Sequence, residues 1–149
     1  MDELVVTVPG QPVPKGRPRM TRTGRAYTPL RTRRYEDRVR ACAKDAMRGC
    51  QPLQGPLTAR VAAFFSIPVS WPQWKRDAAL GGSLRHTGTP DLDNLIKVID
   101  GLNGVVFPDD GAICHIVATK DYSATPRTEI TITRAAGIPS QTTSRESSK

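Results

Sequence analysis

The hydrophobic and polar positions of the chain predict four β-strands. Leu4 to Val8 is a short β-branched segment closed by Pro9-Gly10, and Leu57 to Pro68 is a longer apolar segment. Ala112 to Tyr122 is a third candidate strand. Thr128 to Thr133, with the sequence TEITIT, alternates with the period of two that is typical of a strand with one buried face. We therefore expect one sheet that contains all four segments.

Three further segments have the spacing of helices. Leu30 to Arg48 places apolar residues at helical intervals before Gly49 and Pro52, which are expected to end the helix. A short helix is expected around Pro72 to Leu80. Between Leu92 and Leu102 the apolar residues recur at i, i+3, i+4 and i+7, as in an α-helix packed on a core. The order of elements predicts an α+β fold, in which helices pack against a mixed sheet of about four strands.

The length of 149 residues suits a single domain with its own core. We place this domain at residues 1–136, and the sequence contains no repeat and no sign of a second domain. Residues 9–29 are rich in proline, glycine and arginine, so we expect a basic arm without regular structure of its own. Residues 137–149 are polar and poor in hydrophobic residues, and we expect this tail to be disordered.

The net charge of +8 is concentrated in one part of the chain. The segment from Lys15 to Arg40 contains ten basic and two acidic residues, and the rest of the chain has equal numbers of each. A local excess of this kind is typical of a surface that binds a polyanion such as DNA. A solvated basic loop is the alternative interpretation. The residues that we expect to contact DNA phosphates are Lys15, Arg17, Arg19, Arg22, Arg25, Arg31 and Arg34.

The cysteines and histidines give no signature of a disulfide framework or a zinc site. Cys42, Cys50 and Cys114 are three in number and form no CxxC motif, so we interpret them as buried or incidental thiols in a reducing compartment. His86 and His115 have no partner at the spacing of a metal site or a nucleophilic dyad. Neither residue type is therefore assigned any chemistry.

The sequence predicts a cytoplasmic protein that does not bind a membrane. Its first ten residues, MDELVVTVPG, lack the charged and then apolar pattern of a secretory signal. No apolar segment approaches the roughly 20 residues that are needed to span a bilayer. We expect no membrane partner for this chain.

The segment from Thr89 to Asp110 concentrates acidic residues. Its acidic residues are Asp91, Asp93, Asp100, Asp109 and Asp110, and they accompany one lysine, Lys97. If residues 92–102 form an α-helix, then Asp93, Lys97 and Asp100 lie together on the face opposite the apolar stripe. At the start of the helix, either Asp91 is the N-cap, or Thr89 is the N-cap and Pro90 the first helical residue.

Carboxylates that converge from a helix start and a nearby turn provide hard oxygen ligands, which suit Mg²⁺ or Mn²⁺. A metal held in this way can lower the pKa of a bound water and stabilise an in-line displacement at phosphorus. Lys97 could contact the scissile phosphate or offset the charge that develops on it. The alternative is structural: a helix cap, a charge pair on a solvated face and an acidic turn.

Two segments of the chain resemble a known family. PDLDNLIKVIDGLNGVVFPDD is similar to the signature of the RusA-like crossover-junction endodeoxyribonucleases, the Holliday-junction resolvases of phages and prophages. That signature runs P-D-x-D-N-L-x-K, then D-x-L, then an aromatic residue and D-D. PVPKGRPRMTRTGRAYTPLRTRRYE is similar to the basic entry segment of the phage-type members. Together the matches span most of residues 5 to 134.

The resemblance implies a specific function and site. Asp91, Asp93 and Asp110 would bind the metal, expected to be Mg²⁺ with Mn²⁺ able to replace it, and Lys97 would be needed for catalysis. The chain would be a Mg²⁺-dependent endonuclease that resolves four-way junctions by paired symmetric nicks in DNA recombination and repair. Since a four-way junction has two-fold symmetry, a homodimer with C₂ symmetry is expected. Asp100 and Asp109 are expected to support the site from outside the metal ligands or to be structural.

Two other functions compete with this interpretation. A non-catalytic basic DNA-binding protein of phage type would use the arginine arm and carry the aspartates as caps and surface charge. A metal-dependent phosphohydrolase of nucleotides would explain the carboxylates, but a small substrate does not require the charge of the arm. Replacement of Asp93 by Asn should abolish the activity of a nuclease, whereas it should leave a DNA-binding protein unaffected or strengthen its binding to DNA.

Overall fold

The computed structural model describes residues 3–16 and 18–135. The strands are β1 (Glu3–Pro9), β2 (Arg19–Met20), β3 (Ala26–Tyr27), β4 (Leu57–Phe65), β5 (Ile113–Tyr122) and β6 (Arg127–Arg134). The helices are α1 (Leu30–Met47), α2 (Gln73–Gly81) and α3 (Leu92–Leu95), together with two 3₁₀ helices at Ile96–Leu102 and Asp110–Ala112. The predicted tail at 137–149 and the predicted DNA contact Arg17 lie outside the described residues.

The main sheet has four strands in the order β1-β6-β4-β5. β4 pairs in parallel with β5, whereas β6 pairs antiparallel with both β4 and β1. Val61 in β4 therefore lies between Ala118 of β5 and Ile130 of β6. The predicted mixed sheet in an α+β fold is confirmed.

The core lies between one face of this sheet and α1. Alternate residues of β1, β4 and β6 point into it because successive side chains of a strand face opposite sides. Tyr35, Val39 and Ala43 are buried at helical spacing on the facing side of α1. The hydroxyl groups of Tyr35 and Thr128 are 2.7 Å apart. This buried hydrogen bond, worth about 1 kcal/mol net, connects α1 to β6.

Residues 92–102 are helical and the helix ends where the sequence predicted, but the prediction that the whole segment is an α-helix is wrong. The segment is one α-helical turn, α3, followed by the seven-residue 3₁₀ helix Ile96–Leu102. A Cβ atom at Gly101 would lie 3.0 Å from Cγ1 of Val39, so this backbone packs directly on α1. Leu95 and Val98 are buried along this segment, whereas Leu92 is 38% exposed. Gly104 follows with a φ of +79°.

The arm at residues 9–29 contains regular structure that the sequence did not predict. β2 and β3 form an antiparallel hairpin in which Arg19 faces Tyr27. Its turn is held by the amide of Thr21, which donates to the carbonyl of Arg25 at 2.9 Å. Gly24 takes the left-handed conformation in this turn, with a φ of +83°. With only two residues a strand, the hairpin is too short to show a hydrophobic period.

No helix in the described part of the chain is long and apolar enough to cross a membrane.

Candidate active site

Asp91 lies at the N-terminal end of α3, and its carboxylate does not cap the helix. It is the N-cap residue, so the alternative that placed the cap at Thr89 is wrong. Its backbone carbonyl accepts hydrogen bonds from the amides of Asn94 and Leu95, both at 3.2 Å. The side chain makes no capping hydrogen bond. The carboxylate of Asp91 is therefore exposed and available to a ligand.

Asp93, Lys97 and Asp100 lie on one side of the helical segment, as the sequence predicted, despite the change of helix type. Lys97 and Asp100 are three residues apart and eclipse in the 3₁₀ helix. With Asp91, these residues line an open cavity of about 580 Å³. The other residues that line it are Lys15, Gly16, Pro18 and Asn94.

Asp110 shares a cavity with the same helical segment. It begins the second 3₁₀ helix, whose N-cap is Asp109, and Oδ2 of Asp109 accepts a hydrogen bond from the amide of Gly111 at 3.0 Å. Asp109 thus has a structural contact, whereas Asp110 lines a second cavity of about 340 Å³. Asp93, Lys97 and Asp100 line both cavities, so the two adjoin.

The second cavity is lined by apolar as well as charged residues. Its apolar residues are four isoleucines: Ile96, Ile99, Ile113 and Ile116. Across both cavities the lining includes four carboxylates and two ammonium groups, a formal charge of −2. An excess of two negative charges suits a divalent cation.

The donor set fits an open metal site and not a closed one. Among residues 3–16 and 18–135, no three acidic, histidine or cysteine side chains converge closely enough to enclose a metal ion. Asp93 shares one cavity with Asp91 and the other with Asp110. Mg²⁺ is usually held by one or two carboxylates and completes its shell with water and substrate phosphate oxygens. The residues therefore fit an ion held by Asp93 with one neighbouring carboxylate.

Lys15 belongs to the acidic cavity, a position that its place in the basic arm did not predict. Its ammonium lies 2.8 Å from Oδ2 of Asp100 and 3.9 Å from Oε2 of Glu36. The hydrogen bond to Asp100 raises the pKa of Lys15 above its ordinary value; partial burial opposes this effect, and the charges of both carboxylates add to it. Asp100 is thus paired with the arm, which connects the arm to the carboxylate site.

Lys97 has weaker contacts than Lys15. Its ammonium donates a hydrogen bond of 3.4 Å to Oδ1 of Asn94, and the side chain is exposed. A flexible ammonium on the wall that both cavities share can reach a bound phosphate without breaking a strong ion pair.

The other predicted DNA contacts in the described chain form an exposed basic surface. Its members are Arg19, Arg22 and Arg25 on the hairpin, and Arg31 and Arg34 in the first two turns of α1. Arg19 and Arg31 also line a cavity of about 340 Å³ with several prolines. That cavity shares Gly16 and Pro18 with the acidic cavity. The basic surface is therefore continuous with the carboxylate site.

Comparison with known proteins agrees with this geometry. The family model of endodeoxyribonuclease RusA matches residues 9–133, which include the hairpin, the carboxylates and Lys97. The chain is also 34% identical over 138 residues to the uncharacterized protein YqaN of Bacillus subtilis (strain 168), and the alignment covers 89% of this chain and 96% of that protein. A match over most of the chain shows the family: the chain belongs to the RusA endodeoxyribonucleases.

Proposed function

We propose that this endonuclease is a Mg²⁺-dependent Holliday-junction resolvase that acts in DNA recombination and repair. The observation that carries the proposal is the continuity of two surfaces. Three exposed aspartates and a lysine surround two adjoining open cavities, and an arginine-rich surface begins at the rim of one of them. An open acidic site beside a basic surface suits a large, highly charged substrate.

Asp93 would hold Mg²⁺ together with Asp91 or Asp110, and Mn²⁺ would be able to replace it. When bound, such an ion supplies Lewis-acid stabilisation of the phosphoryl oxygens. Asp100 is unsuited to the same task because its Oδ2 already accepts a hydrogen bond from Lys15. The ion pair also lowers the negative charge that a DNA phosphate meets on entering the cavity.

Lys97 would contact the scissile phosphate. Its side chain lies on the wall common to both cavities, and its hydrogen bond to Asn94 is long enough to be exchanged easily. An ammonium at this position stabilises the negative charge that develops on the phosphoryl oxygens. Lys97 is therefore assigned to catalysis, whereas Lys15 is assigned to holding Asp100 in the site.

The exposed arginines would bind the phosphates of the DNA arms and place the cut strand over the carboxylates. Guanidinium groups match phosphate geometry well, and their contacts are independent of base sequence. Resolution requires two nicks that are related by the symmetry of the junction, and each chain has one such site. We therefore propose a homodimer with C₂ symmetry.

The test of this function compares Asp93→Asn with Asp45→Asn on a four-way junction. Asp45 is an exposed aspartate in α1 and serves as the matched control for removal of one negative charge. We expect Asp93→Asn to lower the cleavage rate at least about a hundredfold, as expected when a group that acts on the transition state is removed. Binding should be unchanged or tighter, because the substitution relieves repulsion of the phosphates.

Each alternative function has its own result in this assay. A non-catalytic DNA-binding protein would bind the junction and leave it uncut with every variant. A nucleotide phosphohydrolase would release phosphate from nucleotides and ignore the junction. Equal cleavage by the Asp93→Asn and Asp45→Asn variants would contradict the assignment of Asp93.

A further inference from the structure

Lys120 connects the far end of β5 to the loop that precedes Asp91. Its ammonium donates hydrogen bonds to the carbonyl of Gly88 at 2.7 Å and to the carbonyl of Pro90 at 3.0 Å. Pro90 is the residue directly before Asp91, and it has no N–H group of its own to fix the backbone. The lysine thus satisfies two carbonyl groups within three residues of the candidate metal ligand.

Two other contacts attach the same loop to the ends of β4 and β5. Arg85 forms an ion pair with Asp121, in which Nη2 lies 3.1 Å from Oδ2. The ring of His86 stacks on Phe65, with 4.2 Å between ring centroids. Both contacts hold the earlier part of the loop. Of the three attachments, that of Lys120 lies next to Asp91.

Asp91 directly follows the backbone segment that Lys120 holds. As the N-cap residue, Asp91 accepts hydrogen bonds through its backbone carbonyl, but its side chain has no cap contact that would orient it. The direction of its Cα–Cβ bond is therefore set by the short α3 on one side and by the Gly88–Pro90 segment on the other. A catalytic carboxylate must be placed to within about 0.5 Å by supporting contacts.

We propose that Lys120 is a positioning residue that fixes the carboxylate of Asp91 for the metal-dependent reaction. The inference rests on the proposed function, in which Asp91 is a metal ligand. Lys120 is paired with Ala63 in the parallel register of β5 and β4, so it extends from the rigid sheet and not from a loop. Contacts from residues outside the ligand set commonly orient the residues that bind a metal.

The test uses Lys120→Met, Lys120→Arg and the control Lys44→Met. Lys44 is an exposed lysine near the C-terminus of α1, so its replacement removes the same charge elsewhere. We expect Lys120→Met to lower kcat for junction cleavage at least about tenfold, because small displacements of a catalytic group cost up to a hundredfold. Lys120→Arg, which keeps two donors, should restore most of the rate, and Lys44→Met should match the wild type.

Two readouts do not require a metal-loaded enzyme. Junction affinity in EDTA should differ less than about threefold between Lys120→Met and the control, because Lys120 is assigned no phosphate contact. Hydrogen exchange of the amides of Asn94 and Leu95, which donate to the carbonyl of Asp91, should be faster in Lys120→Met. If Lys120→Met does not fold, Lys120→Gln replaces it in every comparison.

The outcomes separate this inference from the proposed function. Wild-type kcat and unchanged amide exchange in Lys120→Met would overturn the positioning role. Equal decreases of kcat in Lys120→Met and Lys120→Arg, with unchanged amide exchange in both, would also overturn it, since the loss of rate would then not come from the backbone that Lys120 holds. If the wild type does not cleave junctions, the function fails, and the amide exchange still decides whether Lys120 holds the backbone at Asp91.

Discussion

The ammonium of Lys15 lies 2.8 Å from Oδ2 of Asp100, although 85 residues separate the two in the chain. This ion pair connects the basic arm to the 3₁₀ helix that carries Lys97. About a third of each side chain remains exposed. The pair is therefore expected to contribute little to stability and more to the charge and shape of the site.

A double-mutant cycle of Lys15→Met and Asp100→Asn tests whether the ion pair affects DNA binding more than it affects stability. In urea unfolding, the coupling of the two residues should be at most about 1 kcal/mol, as measured for partly exposed ion pairs. In junction binding, Lys15→Met should weaken affinity more than the double mutant does, because it leaves the charge of Asp100 unpaired in the cavity. Equal affinities of the single and double mutants would contradict this account.

The hairpin arginines should determine the salt dependence of DNA binding. The double variant Arg22→Ala and Arg25→Ala should bind the junction more weakly. The slope of its log Kd against log salt concentration should also be smaller, by about 0.9 for each DNA phosphate that the variant no longer neutralises. The double variant Arg48→Ala and Arg60→Ala removes two exposed arginines elsewhere and controls for net charge. Equal slopes for the two double variants would exclude the hairpin from the DNA interface.

His86 should make the stability of the protein depend on pH. Burial against Phe65 and Tyr122 lowers the pKa of His86, and the nearby charge of Lys120 lowers it further. The unfolded chain therefore binds a proton at His86 more readily than the folded chain, so the free energy of unfolding should decrease as the pH falls below about 6.5. The decrease in the free energy of unfolding with falling pH should be smaller in His86→Phe, which keeps the ring stack. Urea unfolding of wild type and variant at pH 7.5 and pH 5 measures this decrease. An identical dependence in wild type and variant would show that other groups are responsible.

Gly101 should be intolerant of a side chain. A Cβ atom there would lie 3.0 Å from Cγ1 and 3.3 Å from Cβ of Val39, both in the packed core. We expect Gly101→Ala to lower the free energy of unfolding by about 1–3 kcal/mol, as overpacking does. Gly81→Ala is the matched control, because a Cβ atom at Gly81 meets nothing within 4 Å. Similar unfolding curves for the two variants would show that the 3₁₀ helix can move away from α1.

The parts of the fold that could be predicted are those with local signals. The four strands of the main sheet and α1 follow from periodicity, and the positions of Asp91, Asp93 and Lys97 follow from their spacing around one short helix. The 3₁₀ geometry could not be predicted, because it depends on the approach of Gly101 to Val39. The same limit applies to Lys15 and Lys120, whose partners in the site region are distant in the chain.

The central claim is that the protein cuts four-way junctions in pairs of symmetric nicks. The most direct measurement maps the cut positions on all four labelled strands of a synthetic junction, in Mg²⁺ and in EDTA, beside a linear duplex of the same sequence. We predict nicks at matching positions on two opposing strands in Mg²⁺, none in EDTA and none in the duplex. Tight binding without cleavage, or equal cutting of the linear duplex, would contradict the account.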